Sequence, residues 1–125
     1  MSQARDNARR TGPALERTFQ FLLWLIPAVE RFPCAQKFLL GDRIQTTALD
    51  VLERLVEATY TKARARHLAG ANLALEKRRF QCRLAHELRY LDARRYEFAA
   101  RSLDEIGRLV GGWIKADKTH AAATP

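Results

Sequence analysis

Apolar residues recur in this chain at spacings of three and four, and almost nowhere do they alternate. Leu15, Phe19, Leu22, Ile26 and Val29 follow one another at intervals of 4, 3, 4 and 3. Ile44, Ala48, Val51, Leu55 and Ala58 behave the same way, as do Leu73, Phe80, Leu84, Leu88 and Leu91, and then Ala99, Leu103, Ile106, Val110 and Trp113. Side chains three and four apart share one side of a helix, so the pattern predicts four amphipathic helices and gives no strand signal. Composition agrees, because the helix formers Ala, Leu, Arg and Glu dominate over Val, Ile and Thr. At 125 residues there is room for one domain, which buries about two-thirds of its unfolded surface without staples.

Helix boundaries follow from punctuation. Gly12-Pro13 opens the first helix, with Pro13 where its missing N–H costs nothing, and Phe32-Pro33 closes it. Phe21, Trp24, Leu25 and Ala28 add a second apolar side to this helix, which therefore needs cover from its own bundle and from another subunit. The second helix is expected over residues 35–64, interrupted early by Gly41, and the third over residues 69–91. On the third, Leu73, Phe80, Leu84, Leu88 and Leu91 should face the core, leaving Arg78, Arg79, His86 and Arg89 on the opposite side. Asp92 is placed to cap a fourth helix reaching Ala116. Short connections make consecutive helices antiparallel neighbours, so the expected fold is all-α: an up-down antiparallel four-helix bundle over residues 13–117. Residues 1–12 read as a flexible basic arm and residues 118–125 as a disordered tail.

Charge is the strongest functional pointer. Ten Lys and Arg lie between Lys62 and Arg95 against Glu76, Glu87 and Asp92, so this stretch holds +7 of the net +8. Concentrated basic charge points to a polyanionic partner, and nucleic acid is the first choice. The candidate phosphate contacts are Lys62, Arg64, Arg66, Arg78, Arg79, Arg89, Arg94 and Arg95. They would act by neutralising phosphates and releasing counterions, without reading bases. Reversing Arg78 and Arg79 to Glu should then abolish binding and leave helicity intact.

Catalytic signatures are sparse. His67, His86 and His120 have no carboxylate or thiol neighbours at metal-ligand spacing, and no Ser sits in a nucleophile-elbow motif, so no metal, cofactor or catalytic residue is expected. Arg79 and His86 do match the R-x(4–6)-H pattern of helical ribonucleases of the HEPN type, although Phe80 stands where those enzymes place a polar residue. Cys34 and Cys82 lack any paired spacing and read as buried small hydrophobes. Gly107, Gly111 and Gly112 fall within the fourth helix, where close packing is the better reading than phosphate binding. Tyr60, Tyr90 and Tyr96 read as boundary residues, with stacking on bases the alternative. The longest apolar run, Phe19 to Val29, contains Gln20 and Pro27 and is too short for a membrane span. With no secretory leader at the start, a soluble cytoplasmic protein is expected.

Several segments resemble a family of small bacterial four-helix-bundle proteins. They are Trp24-Leu25-Ile26-Pro27, Glu30-Arg31-Phe32-Pro33, Leu40-Gly41-Asp42-Arg43-Ile44-Gln45, Ala71-Asn72-Leu73 and Tyr96-Glu97-Phe98-Ala99-Ala100. The most specific runs from Asp104 to Ile114, with a Gly-Arg-x-x-Gly-Gly-Trp core. That family includes the accessory variability determinant (Avd) proteins of diversity-generating retroelements and relatives encoded within ribosomal RNA intervening sequences. The resemblance implies a ring-shaped homo-oligomer, a pentamer, with a basic surface. It also implies binding to template RNA, with DNA left open, and to the retroelement's reverse transcriptase, in support of mutagenic cDNA synthesis.

Three functions thus stand side by side. The preferred one is a non-enzymatic adaptor between reverse transcriptase and template RNA. The others are a HEPN-like ribonuclease using Arg79 and His86, and a non-catalytic scaffold whose basic side docks an acidic protein.

Overall fold

The computed structural model describes residues 12–123, excepting a few side chains, and within them every regular element is helical. Helix α1 spans Pro13–Glu30, α2 spans Asp42–Tyr60, α3 spans Arg64–Glu87 and α4 spans Ala93–Ala123. A short turn over Cys34–Gln36 and a π-helical turn over Lys37–Gly41 lead into α2, so the expected interruption at Gly41 is a change of helical pitch. The arm expected over residues 1–12 lies outside the described residues except for Gly12, whose φ of 92° precedes Pro13 at the helix start. Helix α4 continues to Ala123, well past the expected end at Ala116 and into the stretch read as tail.

Each helix packs against two others. Pairs α1–α2, α2–α3, α3–α4 and α1–α4 form the sides of the bundle, while α1 and α3 stand at opposite corners, as do α2 and α4. Short links between packed neighbours give the antiparallel four-helix arrangement. The core is continuous, from Leu22 and Leu25 through Ile44, Val51 and Leu55 to Leu68, Leu75, Leu103, Ile106 and Val110. Each such side chain, fully buried, contributes about 1.5–3 kcal/mol. The inward residues of α2 are those expected, and so are Ala99, Leu103, Ile106 and Val110 of α4, with Trp113 only partly covered.

Helix α3 is turned the other way from its expected orientation. Leu68, Ala71, Ala74, Leu75, Cys82 and Ala85 face the core, while Leu73, Phe80, Leu84 and Leu88 lie exposed, Phe80 at 66 %. The helix is apolar on both sides, so periodicity alone could not choose between them; small residues pack inward and the large ones form an outer ridge. Helix α1 carries a similar ridge of Phe19, Leu23 and Ile26, two of which were expected in the core. Pro27 lies inside α1 without ending it.

The link from α3 to α4 is tightly built. Arg89 N–H donates to His86 O (2.9 Å) and Tyr90 N–H to Ala85 O (2.9 Å), the two bonds of a Schellman ending. Arg89 occupies the left-handed position of that motif, at φ 66°. Asp92 then caps α4 as expected, its Oδ1 accepting from Arg95 N–H at 2.8 Å.

Candidate nucleic-acid interface

Because Ala99, Leu103, Ile106 and Val110 bury one side of α4, the opposite side faces outward. That side carries Arg94, Arg101, Arg108 and Lys115, one cation every seven residues. Seven residues are just under two turns, so the four stack in a nearly straight row with about 10 Å between neighbours and about 30 Å from end to end. All four are exposed. Arg101 pairs with Glu97 at 3.3 Å, one turn back, in a solvent-exposed contact that adds little stability. Arg94, Arg108 and Lys115 form no ion pair among the described residues.

A shallow polar cleft of about 630 Å³ opens beside the row, between α3 and α4, lined by Asn72, Arg79, Arg101, Asp104, Gly107 and Arg108 among others. Arg79 reaches across from α3, pairing with Glu76 (3.2 Å) on its own helix and Asp104 (3.6 Å) on α4. A Cβ at position 107 would lie 2.7 Å from Arg79 Nη2, so Gly107 makes room for this guanidinium. The expected close packing therefore holds for Gly107, against a side chain. Gly111 and Gly112 have nothing within 4 Å of where a Cβ would stand.

The eight expected contacts are not brought together. Arg78 is the clear correction: it is 1 % exposed and points into the core. Its Nη1 donates to Ile44 O (3.3 Å) and its guanidinium lies 4.9 Å from the Phe21 ring centroid, while Nε and Nη2 have no partner. Burial brings its pKa down to about 10 despite the nearby Cys82 sulfur, and burial likewise pushes the Cys82 thiol up. A glutamate at position 78 would enter the core and disrupt the fold, so the double reversal expected to leave helicity intact would not. Arg64 is held at Ala58 O (2.9 Å) and near Asp117 (3.8 Å). Arg95 is bound to the capping Asp92 (3.0 Å).

Lys62, Arg66, Arg89 and Arg94 are exposed. Lys62, Arg64 and Arg66 lie at the α2–α3 end of the bundle, the end that the Arg64–Asp117 contact joins to the far part of α4. Arg89, Arg94 and Arg95 lie at the other end, at the α3–α4 link. Arg101, Arg108 and Lys115 connect the two ends, and charge density along the sequence missed them. The signal that would have found them is the seven-residue recurrence, since α4 spreads its cations too thinly to register as a basic stretch.

Of the remaining candidates, His86 and Arg79 both have partners within the subunit. His86 Nδ1 lies 3.0 Å from Leu91 O, and its ring stacks on Tyr96 at 4.5 Å between centroids and 5° between planes. Arg79 is engaged by two carboxylates, about 10 Å away along the helix axis from His86. Tyr90 packs against Phe32, leaving Tyr60 as the exposed tyrosine. Cys82 is buried and Cys34 exposed, the latter contrary to expectation, and neither is in a disulfide. Among the described residues no group of three His, Cys, Asp or Glu could hold a metal, and no helix is long and apolar enough to cross a membrane.

A family model described as bAvd-like matches residues 14–116, and the chain belongs to that family. This bears out the resemblance to Avd proteins read from the Gly-Arg-x-x-Gly-Gly-Trp core and the segments before it. No curated protein matches the chain.

Proposed function

From its membership of the bAvd-like family we propose that this chain is a non-catalytic accessory protein of a diversity-generating retroelement, holding template RNA for the element's reverse transcriptase. The observation that carries this reading is the outer row of α4, four cations over about 30 Å, three of which form no ion pair among the described residues. Phosphates lying along the row exchange their condensed counterions for fixed guanidinium and ammonium groups, a gain that does not depend on sequence. RNA and DNA both fit such a row.

The charge is one-sided. The outer side of α2, across the diagonal from α4, carries Asp42, Asp50, Glu53 and Glu57, all exposed. A polyanion is repelled there and confined to the α4 side.

The two apolar ridges support a ring. They belong to different helices at opposite corners, so one cannot meet its own copy and the other on the same side. Packing the α1 ridge of one subunit on the α3 ridge of the next is a heterologous contact, which closes into a cycle when the rotation allows. Such a ring would point every α4 row the same way relative to its axis, multiplying the phosphate contacts. A pentamer is the count that the family resemblance implies.

Equilibrium binding of a structured RNA across a salt series tests the reading. Each phosphate contact should add about −0.7 to −0.9 to the log–log slope. Changing Arg101, Arg108 and Lys115 to Gln together should flatten that slope by about 1 per residue. An unchanged slope in the folded triple variant would reject the row as the interface. Cleavage of the RNA that disappears in His86→Ala would favour the ribonuclease instead.

A further inference from the structure

Next to the basic row, on the side of α4 that meets α1, lies an apolar groove of about 430 Å³. Pro13 forms one wall, Leu109 and Trp113 the other, Gly112 opens it toward solvent and Arg108 stands at its rim. Trp113 packs partly against the core and keeps the rest of its surface toward the groove. Glycine inside a helix costs about 1 kcal/mol relative to alanine. A Cβ at position 112 would meet nothing within 4 Å, so no contact among the described residues requires glycine there.

The chemistry of groove and rim together selects the occupant. The groove is apolar and bordered by an indole, a surface on which a flat ring can stack. Arg108 belongs to both the groove and the phosphate row, and Lys115 follows one heptad on. A ligand that fits both must join a flat, stackable body to an anionic chain. An unpaired nucleobase on its own phosphate backbone has that form, whereas a duplex keeps its bases stacked inside.

We infer that the groove takes a nucleobase of single-stranded nucleic acid, stacked on Trp113 while the adjoining phosphates lie along Arg108 and Lys115. This rests on the nucleic-acid-binding reading above and adds a preference to it. Any base offers a π-face, so the groove tolerates sequence but discriminates single strands from duplexes. The row alone would bind both.

The chain has two tryptophans. Trp24 stacks on Phe21 (5.8 Å) and meets Phe98 at a tilt (4.6 Å, 44°), so Trp24→Phe keeps an aromatic ring there and leaves Trp113 as the sole indole. The experiment titrates this variant with a single-stranded oligonucleotide and with the same sequence as a duplex, reading indole fluorescence. Should Trp24→Phe fail to fold, ¹⁹F spectra of the unaltered chain carrying 5-fluorotryptophan report the same contact. The expected result is quenching by the single strand and little by the duplex. Gly112→Leu, which fills the groove from an open position, should weaken single-strand binding about five- to hundred-fold and leave duplex binding unchanged.

Saturable single-strand binding without quenching, or undiminished by Gly112→Leu, would overturn the inference and leave the phosphate row standing. Failure of both nucleic acids to bind at low salt would instead remove the nucleic-acid reading itself. A change of subunit number in Gly112→Leu would assign the groove to a second copy of the chain. Shielding of Trp113 from acrylamide at every concentration of the free protein would assign it to the chain's own N-terminal segment. Either of these also overturns the proposal.

Discussion

Arg78 occupies a position whose neighbours would suit a leucine. Phe21, Leu22, Val51, Leu75, Leu103 and Ile106 surround a small internal space with the guanidinium at its edge. Its partners are one carbonyl and one aromatic face, and among the described residues no carboxylate pairs with it. Burial holds its pKa at about 10, well below the ordinary arginine range, so the charged form is disfavoured in the folded state by on the order of 3 kcal/mol. The sign follows from linkage. Below pH 10 the fold carries this cost in full, and it is relieved only as pH rises through 10 toward the ordinary arginine range. Arg78→Met, similar in volume and uncharged, should therefore stabilise the protein at neutral pH by about 1–4 kcal/mol, raising Tm. RNA affinity should not change, because the side chain does not reach solvent; a loss of affinity in the folded variant would show that Arg78 acts in binding after all. The cysteines make a second test at this scale. Cys34 is exposed, whereas Cys82 is buried with its thiol pushed up. A thiol reagent near pH 8 should label one site per native chain and two in denaturant, and two native labels would contradict the burial of Cys82.

The elements owe their limits to a few local devices. Pro13 starts α1, Asp92 starts α4, and the Schellman ending stops α3. Two of these were legible because a proline at the first turn and an aspartate before a periodic run act through the backbone next to them. The third was not legible, because Arg89 stands where glycine is the usual residue. A non-glycine residue in that conformation costs about 1 kcal/mol. Arg89→Gly is therefore expected to raise unfolding stability by about that amount in a denaturant titration, while helicity stays the same. A decrease would mean that the arginine side chain makes stabilising contacts that outweigh the backbone strain. On α4, the row Arg94, Arg101, Arg108 and Lys115 was present in the sequence throughout. Along the chain Glu97, Asp104 and Glu105 dilute this charge; around the helix Asp104 and Glu105 flank the row and Glu97 lies on it, paired with Arg101.

Around the whole bundle the four outer sides differ in kind: apolar on α1, acidic on α2, apolar on α3 and basic on α4. Two apolar sides facing opposite ways offer the surfaces that the proposed head-to-tail assembly needs, and the charged sides would confine a polyanion to α4. Phe80→Asp with Leu84→Asp should release the 14.3 kDa chain as a monomer in sedimentation. Both side chains are exposed within the subunit, at 66 % and 50 %, so helicity should persist. A double variant that sediments like the parent would exclude the α3 ridge from the subunit contact.

The sequence by itself determined the class of fold, the count of helices and most of their limits, since these depend on periods of three and four and on capping residues acting over a few positions. It also carried the family, through a Gly-Arg-x-x-Gly-Gly-Trp core that is contiguous along the chain. Which side of α3 faces inward was decided only in the folded chain. Leu73, Phe80 and Leu84 offered more apolar area than Ala71, Ala74 and Ala85, yet the smaller residues permit the closer approach of α2 and α4 and so took the core. That choice buried Arg78, exposed the ridge and left the regularly spaced outward cations on α4. Packing compares two sides of a helix against particular neighbours, and that comparison exists only once the neighbours are in place.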